Sequence, residues 1–351
     1  MVEPLRMGLI GAGNIAQAHM RALVGVDEIE VVAVADLIEE RAVNTSKRFG
    51  IPHVFTDYQK ILEMDDIEAV SICTWNQAHC RPSVDALRAG KHVLVEKPMS
   101  ATLVDATEMT KAAHETDRIL MVALKARYDS SRIAAKAVVD SGVLGDIYYA
   151  EAVACRRCGI PGGSFLAKAT GGIGTTADIG VYSLDAVLHL MGHPKPVSVS
   201  GVANNMLGTK YASQAMGCWS WDPEALEVED FGVASVRFEN GAFMVFKTSW
   251  IMNMDSLGGN VLLGTTGGLK MNPLTVFRQE FGMLTDVTPQ LPEVRDENTF
   301  RLENLAFAEA IREGKPSPIP ADEMLLTNVI IQGLIDSAAA GREVEVHVPE
   351  V

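Results

Sequence analysis

One lysine lies where a buried strand ends and a proline follows. Residues 92–95 form a short, mostly apolar strand pattern that runs directly into Glu96, Lys97 and Pro98. Proline removes a backbone donor and restricts the residue before it to extended conformations, so Lys97 is held stiffly at the carboxyl end of the strand. In a doubly wound sheet this edge binds ligands. A solvated surface lysine is the ordinary explanation for a lysine at a strand end, so a functional role for Lys97 depends on the rest of the sequence.

A second set of reactive side chains has the spacing of one helix face. The segment 176–191 is bounded by glycines and a proline and is apolar over most of its circumference. At about 100° per residue, Asp178, Tyr182, Asp185 and His189 fall on the same side. Two acids, a phenol and a histidine without a lysine are unusual for a solvated face, so this side is predicted to line a cleft. Asp178 and Tyr182, next to a glycine-rich loop, are the strongest candidates.

A glycine turn joins the first strand to the first helix. Residues 7–10 are an apolar strand, and the next six read Gly-Ala-Gly-Asn-Ile-Ala before a helical pattern begins. In this context G-x-G-x-x-A predicts a dinucleotide site, because glycines allow the backbone to approach a pyrophosphate that lies at the helix N-terminus. The residues of the turn that are predicted to bind the cofactor are Gly11, Gly13, Asn14 and Ile15.

The end of the second strand predicts which dinucleotide binds. Residues 30–35 lead to Asp36, whose carboxylate can accept hydrogen bonds from ribose hydroxyls and would repel the 2′-phosphate of NADP. Leu37 follows, where an arginine could have held that phosphate. NAD is therefore the predicted cofactor, and Arg41, one turn further on, keeps NADP possible.

Another strand end brings polar and aromatic groups to the same predicted edge. The apolar run 69–74 ends in Thr74, Trp75 and Asn76, and His79 follows within one turn. We expect these residues near the nicotinamide half of the cofactor. Helix capping by Asn76 and simple partial exposure of His79 explain the sequence equally well.

The order of these patterns predicts an α/β protein of two domains, since 351 residues exceed one ordinary core. Strands alternate with helices up to residue 124, which favours a Rossmann domain with a doubly wound parallel sheet over residues 1–124. Beyond it, Asn240-Gly241 between two alternating strands predicts a hairpin with a type I′ turn. Residues 125–351 are therefore predicted to form an α+β domain with an antiparallel sheet.

The amino-acid composition restricts the kinds of molecule that the protein can bind. The net charge of −15 and the absence of a basic patch oppose nucleic-acid binding. The sequence contains no run of about 20 apolar residues, so no membrane span is predicted. Five cysteines without a regular framework favour reduced thiols in a cytoplasm. Cys155 and Cys158 form a C-x-x-C, but no second pair follows to complete a zinc site, so no metal is predicted.

Together these motifs resemble the glucose-fructose oxidoreductase, inositol dehydrogenase and rhizopine-catabolism (Gfo/Idh/MocA) family. The resemblance spans almost the whole chain: the glycine turn, Asp36, the edge from Thr74 to His79, Glu96-Lys97-Pro98, Arg127-Tyr128, residues 171–185 and the closing residues 341–344. In that family the lysine of E-K-P is catalytic and the peptide before its proline is usually cis. The second domain pairs an open, largely antiparallel sheet with the substrate pocket, and relatives are commonly dimers or tetramers. The resemblance thus implies that Glu96 and Lys97 lie beside the cofactor.

The match departs from inositol dehydrogenases at one position. Those enzymes have D-x3-H on the reactive helix, whereas Tyr182 stands four residues after Asp178 here. A tyrosine is typical of the glucose-fructose oxidoreductase and the dihydrodiol or aldose dehydrogenase branches. A sugar or sugar derivative is therefore favoured as substrate, and a cyclitol remains an alternative.

The predicted reaction is reversible hydride transfer between NAD(P) and a hydroxyl-bearing carbon of such a substrate. Lys97 and Tyr182 have ordinary pKa values of about 10. The cofactor's positive charge would lower both toward neutrality, and partial burial would also lower the pKa of Lys97. Asp178 would bind the neighbouring hydroxyl. A glycosidase that retains its NAD and is redox-neutral, and a non-catalytic sensor of a dinucleotide or sugar, are the alternative functions.

Three arginines are weaker candidates for the sugar oxygens. They are Arg127, Arg156 and Arg157, and ordinary ion pairing explains each of them as well. Oligomerisation as a homodimer or homotetramer is the remaining expectation for the second domain.

Overall fold

The structure is a computed structural model that describes residues 3–211, 218–291 and 298–351. The chain forms two compact units, one containing residues 1–125, 296–325 and 351, the other residues 126–295 and 326–350. The division into two domains at residue 124 stays a prediction. Residues 296–325, which belong to the first compact unit, were placed in the second domain by that division. Every helix in the described ranges is too short or too polar to cross a bilayer.

The first 125 residues alternate strands and helices. In chain order these elements are β1 (Leu5–Ile10), α1 (Asn14–Ala22), β2 (Ile29–Ala35), α2 (Glu39–Phe49), β3 (His53–Phe55), α3 (Gln59–Leu62), β4 (Ala69–Ile72), α4 (Cys80–Arg88), β5 (His92–Glu96), α5 (Leu103–Thr116) and β6 (Leu120–Ala123). All neighbouring strands pair in parallel, in the order β3-β2-β1-β4-β5-β6. The predicted Rossmann sheet is confirmed, and the strand order reverses between β1 and β4, where ligands bind in such sheets.

The remaining residues supply the second unit and part of the first. In chain order they form α6 (Ser130–Asp140), β7 (Ile147–Cys155), α7 (Val181–Met191), β8 (Pro196–Asn204), β9 (Phe231–Phe238), β10 (Phe243–Ser249), β11 (Val261–Gly264), β12 (Gly267–Met271), β13 (Leu274–Glu280), β14 (Met283–Val287), α8 (Thr299–Glu313), α9 (Ala321–Ala340) and β15 (Val344–Glu345). Of these, α8 belongs to the first unit.

A nine-stranded sheet forms the second unit, in the order β14-β13-β12-β11-β7-β10-β9-β8-β15. Only the β7–β10 pair is parallel among the described strands of this sheet, so the predicted open, mostly antiparallel sheet is confirmed. Alternate residues such as Ala152, Ala234 and Phe246 point into a core with Leu184 of α7 and Leu334 of α9. Alternation with period two leaves the opposite face only partly covered.

The hairpin between β9 and β10 is confirmed, but the type I′ turn is wrong. A type I′ turn needs positive φ at two residues, and only Gly241 is left-handed, with φ of +84°. The Gly241 N–H donates to the Phe238 carbonyl at 3.0 Å, and the Ala242 N–H donates to Asn240 Oδ1 at 3.1 Å. Residues 239–242 connect the strands, so the loop is longer than the two residues predicted, and the φ of Asn240 stays negative.

The reactive helix does not begin as a regular α-helix. Thr176–Gly180 form a single π-helical turn, and α7 continues from it. The step of 100° per residue assumed from sequence therefore fails over the first turn, which contains Asp178. A Cβ atom at Gly180 would lie 2.7 Å from Phe246 Cζ, so glycine lets this turn approach β10 closely.

The expectation of reduced thiols is wrong for two of the five cysteines. Cys158 is disulfide-bonded to Cys218, with their Cα atoms 5.6 Å apart, whereas Cys73, Cys80 and Cys155 are free. The C-x-x-C pair is thus split, since Cys158 bonds to a residue 60 positions away rather than to Cys155. Sequence spacing alone does not show which cysteines meet in space.

Candidate active site

The glycine turn leaves room for a pyrophosphate. Gly11 has φ of +90°, and a Cβ there would lie 2.7 Å from the Cys73 carbonyl, so this position requires glycine. Gly13 has open space where a Cβ would stand, with no described atom within 4 Å. It also precedes α1 without any side-chain cap, so the first-turn N–H groups of Asn14 and Ile15 face that space. An anionic diphosphate fits there because the helix N-terminus offers both donors and a favourable dipole.

The Asp36 carboxylate forms hydrogen bonds to the backbone of the glycine turn and of the residues that follow β2. Its Oδ2 accepts a hydrogen bond from the Ala12 N–H at 2.8 Å, and its Oδ1 accepts one from the Ile38 N–H at 2.8 Å. Each carboxylate oxygen has a further lone pair, so the group can still accept from ribose hydroxyls. Leu37 beside it is 74% exposed, which leaves an apolar surface for an adenine ring.

The edge after β4 contains one predicted residue that cannot contact a ligand. His79 has no exposed surface, and its Nδ1 and Nε2 lie 2.8 Å from the Pro98 carbonyl oxygen and 3.3 Å from that of Thr74. Burial lowers its pKa, so the ring is neutral and its single N–H is best assigned to the shorter contact. His79 can therefore act on a cofactor only through the backbone that it holds.

The other residues of this edge lie at the surface of the sheet end or just below it. The Thr74 hydroxyl donates to the Ala78 carbonyl at 3.0 Å, and Trp75 is 39% exposed. Asn76 is buried and is the first residue of a short 3-10 turn, and the residue at the cap position of α4 is His79 rather than Asn76. Trp75 is thus the residue of this edge with most surface available to a nicotinamide.

Lys97 lies at the end of β5, as predicted, and the Lys97–Pro98 peptide is cis. Its side chain is half-buried, whereas Glu96 before it is 5% exposed. The Glu96 carboxylate accepts from the Lys97 N–H at 3.0 Å and from His19 Nε2 at 2.8 Å. Both oxygens of Glu96 are therefore engaged by groups of the first unit, so its carboxylate holds the Lys97 backbone in place. His19 was missed by the sequence analysis, since a histidine on a helix has no local signal of such a role.

In the second unit, Asp178 is held by an indole. It is 8% exposed, and Trp250 Nε1 donates to its Oδ2 at 2.9 Å. Glu229 fixes the turn below it by accepting from the Gly174 N–H at 2.9 Å and the Thr176 N–H at 3.2 Å. Glu229 and Trp250 were not predicted, because they come from distant strands. The indole N–H therefore fixes the orientation of the Asp178 carboxylate.

Tyr182 follows one turn later and is half-buried, with its backbone carbonyl accepting from Arg132 Nη1 at 2.9 Å. Asp185, on the same predicted face, does not line a cleft. It is fully buried and receives Arg127 through Nη2 at 2.6 Å and Nε at 3.1 Å. For Arg127 the ion-pair alternative is therefore the one observed.

The two other candidate arginines lie near the disulfide. The guanidinium of Arg156 stacks on the exposed Trp219 ring, 5.5 Å from its centroid, and Arg157 is exposed. Within the described residues neither forms an ion pair with a carboxylate. Both stay predicted candidates for the sugar oxygens.

A Rossmann unit with an open phosphate-binding turn, followed by an open-sheet unit with a carboxylate and a phenol on one helix, is the architecture of a dinucleotide-dependent oxidoreductase. A family model described as an oxidoreductase family with an NAD-binding Rossmann fold matches residues 5–124, and the Gfo/Idh/MocA C-terminal domain model matches residues 133–270. The chain therefore belongs to the Gfo/Idh/MocA family, as predicted, and its cofactor is NAD. Its place in the tyrosine branch stays a prediction.

Individual relatives span the whole chain. The chain is 31% identical to D-glucoside 3-dehydrogenase of Escherichia coli K12 over 98% of both chains. It is 27% identical to the NAD-dependent scyllo-inositol 2-dehydrogenase of Bacillus subtilis, over 92% of this chain and 90% of the relative. A solved levoglucosan dehydrogenase in complex with NADH shares the fold, with a TM-score of 0.83 at 21% identity, covering 99% of this chain and all of the other.

Proposed function

We propose that the protein is an NAD-dependent dehydrogenase that oxidises a ring hydroxyl of a sugar or sugar derivative, with D-glucosides as the first substrates to test. The observation that carries the proposal is the full-length similarity to D-glucoside 3-dehydrogenase, together with an intact set of Lys97, Asp178 and Tyr182. A bound nicotinamide ring supplies the hydride acceptor.

We propose three roles for these residues. The amine of Lys97 takes the proton of the reacting hydroxyl, because it is held at the strand end where the cofactor-binding edge lies. Asp178, anchored by the Trp250 indole, accepts a hydrogen bond from a neighbouring hydroxyl and so orients the ring. Tyr182, one turn on, assists by donating or accepting a hydrogen bond at the reacting oxygen.

The experiment is a substrate panel with the purified protein. D-glucosides, free aldoses and cyclitols are incubated with NAD or NADP, and formation of reduced cofactor is followed by its near-ultraviolet absorbance. We expect reduction of NAD with glucosides or related sugars. Cleavage of a glycoside without net cofactor reduction would favour the redox-neutral glycosidase, and cofactor binding without any turnover would favour a sensor.

The cofactor preference depends on Asp36. We expect Asp36→Asn to raise the KM for NAD about tenfold, because a charged acceptor for the ribose hydroxyls is lost. The relative efficiency with NADP should rise, since the negative charge that repels the 2′-phosphate is removed. Asp57→Asn is the matched control: Asp57 Oδ1 caps the Gln59 N–H at 3.0 Å, and asparagine caps as well. An unchanged NADP-to-NAD ratio in Asp36→Asn would contradict the assignment.

We also propose that the protein forms a homodimer or homotetramer through the open face of the nine-stranded sheet. Strand pairing places Val202, Leu263, Phe277 and Leu284 on that face, and they are 56%, 40%, 40% and 90% exposed. Exposed apolar side chains grouped on one face of a sheet are typical of a protein interface rather than of a solvated surface. A second copy of the chain fits because it presents the same face by symmetry.

The oligomer has a direct test. Combining Val202→Asp with Leu263→Asp should convert the assembly to monomers in light scattering after size-exclusion chromatography, because unpaired carboxylates would be buried between the copies. Val104→Asp is the control, since Val104 is 77% exposed on α5 of the first unit. An assembly of unchanged mass in the double variant would exclude this face.

We propose a cytoplasmic location as well, supported by the three free thiols at Cys73, Cys80 and Cys155. The Cys158–Cys218 disulfide weighs against that location, because such bonds are rare in reducing compartments.

A further inference from the structure

A buried row of hydrogen bonds ends at the backbone nitrogen of Lys97. Asn304 Nδ2 on α8 lies 3.0 Å from His19 Nδ1 on α1, and His19 Nε2 lies 2.8 Å from Glu96 Oε1. Glu96 Oε2 then accepts from the Lys97 N–H at 3.0 Å. Asn304, His19 and Glu96 are 1%, 2% and 5% exposed, so water does not compete for these contacts. All four residues belong to the first unit.

The amide of Asn304 sets the tautomer of His19. Its Nδ2 also donates to the Phe300 carbonyl at 2.8 Å, which fixes the amide nitrogen on the side that faces the imidazole. The His19 Nδ1 must therefore accept, and the ring proton of neutral His19 lies on Nε2, where it is donated to Glu96. The row has a direction, from Asn304 through His19 to the carboxylate.

The charge of Glu96 depends on this donor. Burial by itself would raise its pKa, but the hydrogen bond from His19 and the ammonium of Lys97 lower it. Glu303, next to Asn304 on α8, has no exposed surface, and neither of its oxygens has a hydrogen-bond partner among the described residues. Burial and the charge of Glu96 raise the pKa of Glu303 well above its ordinary value. Glu96 is thus the ionised member of this acid pair.

The other titratable and charged groups around the pair are few in the described structure. His79 and the Cys73 thiol interact electrostatically with Glu96, and Lys125 interacts with Glu303. His79 is kept neutral by burial, and burial raises the pKa of Cys73, so neither adds charge. The carboxylate of Glu96 is therefore a fixed negative charge that acts on the Lys97 ammonium.

We propose that Asn304, His19 and Glu96 are positioning residues for Lys97, which hold its peptide in place and keep a negative charge that acts on its amine. The inference rests on the proposed function, in which Lys97 exchanges the hydroxyl proton, and adds the groups that control that amine. His19 lies on the helix of the glycine turn, so one residue connects the dinucleotide-binding turn to the reactive lysine.

The test uses the full-length protein and replaces His19. In His19→Leu the donor to Glu96 is lost, so the buried carboxylate takes up a proton and no longer favours the ammonium form of Lys97. The pKa of Lys97, followed by NMR of ¹³C-methylated lysines without turnover, should fall. The acid limb of the kcat/KM profile for sugar oxidation should move to lower pH with it, and kcat should fall about 100-fold because the amine is misplaced. The Kd for NAD should stay unchanged.

Conservative variants separate positioning from general loosening. His19→Gln offers an amide N–H to Glu96 and should restore most of kcat and the pKa of Lys97. In Asn304→Asp the new side chain accepts a hydrogen bond from His19 Nδ1 instead of donating one. His19 then either turns a lone pair toward Glu96 or becomes cationic. In both cases the pKa of Lys97 should change. The control is His114→Leu, a histidine exposed on α5.

The outcomes are distinct. A folded His19→Leu with the wild-type pKa of Lys97 overturns the inference, and so does a loss of kcat matched by a rise in the Kd for NAD. If His19→Leu does not fold, His19→Asn replaces it, because its shorter side chain should fail where His19→Gln succeeds. Failure of the proposed function looks different: Lys97→Met would retain turnover, or the wild type would oxidise no sugar, while the NMR titration still reports on the network.

Discussion

Lys97→Met should abolish sugar oxidation while NAD still binds. The amine is the proposed acceptor of the hydroxyl proton, and loss of a positioned base costs about 10²- to 10⁴-fold in kcat. Methionine keeps the length and the apolar stem of lysine, so the half-buried side chain can still pack. Steady-state oxidation of the best glucoside measures kcat, and isothermal titration calorimetry measures the Kd for NAD.

Two further variants sharpen this result. Lys97→Arg keeps a positive charge but cannot release a proton near neutrality, so it should be as inactive as Lys97→Met if proton transfer, rather than charge, is the role. Lys111→Met, at an exposed lysine on α5, should behave like the wild type. Turnover within tenfold of the wild type in Lys97→Met would end the assignment of Lys97 as the base.

The second large effect is expected at Asp178. Asp178→Asn keeps the size of the side chain but replaces a charged acceptor, and hydrogen bonds to charged groups contribute about 1.5–3 kcal/mol, or about 10- to 150-fold in kcat/KM for the sugar. The Kd for NAD should not change, because the substituted group belongs to the second unit. Fluorescence titration with NAD and initial rates over a range of sugar concentrations provide the two measurements.

The hydrogen bond from Trp250 to Asp178 can be tested separately. Trp250→Phe removes the indole N–H that donates to Oδ2 at 2.9 Å, so the carboxylate loses its fixed orientation and kcat/KM should fall about tenfold. Asp129→Asn is the matched control in the same unit, since Asp129 caps α6 and asparagine is an equally good cap. A normal kcat/KM in Asp178→Asn would remove this residue from the proposed mechanism.

Local patterns were enough for much of the first unit. Apolar strands, the glycine turn and Asp36 predicted the parallel sheet and the glycine turn that leads into α1, because each depends on residues close together in sequence. The position of Lys97 at a strand end was equally local, since a β strand and a following proline restrict it directly. These features required no knowledge of distant contacts.

Predictions that depended on distant partners were less successful. Asp185 had the helical phase of a cleft-lining residue, yet the buried pair with Arg127 explains it, and that pair joins residues 58 positions apart. Cys158 was taken for a free thiol, and its bond to Cys218 closes a loop that no spacing rule predicts. The π-helical turn at Thr176–Gly180 likewise depends on packing against β10 and on Glu229, neither of which is near in sequence.

The amino-acid sequence by itself determined the fold class and the family and supplied the candidates for the reactive groups, because periodicity, turn residues and motifs are properties of short stretches. Only the tertiary structure decided which groups act on those residues. The partner of His19 comes from α8, 285 positions away, and Asp178 is held by an indole 72 positions downstream. Such contacts form when distant elements pack into one core, so their energy depends on the whole fold rather than on any local pattern.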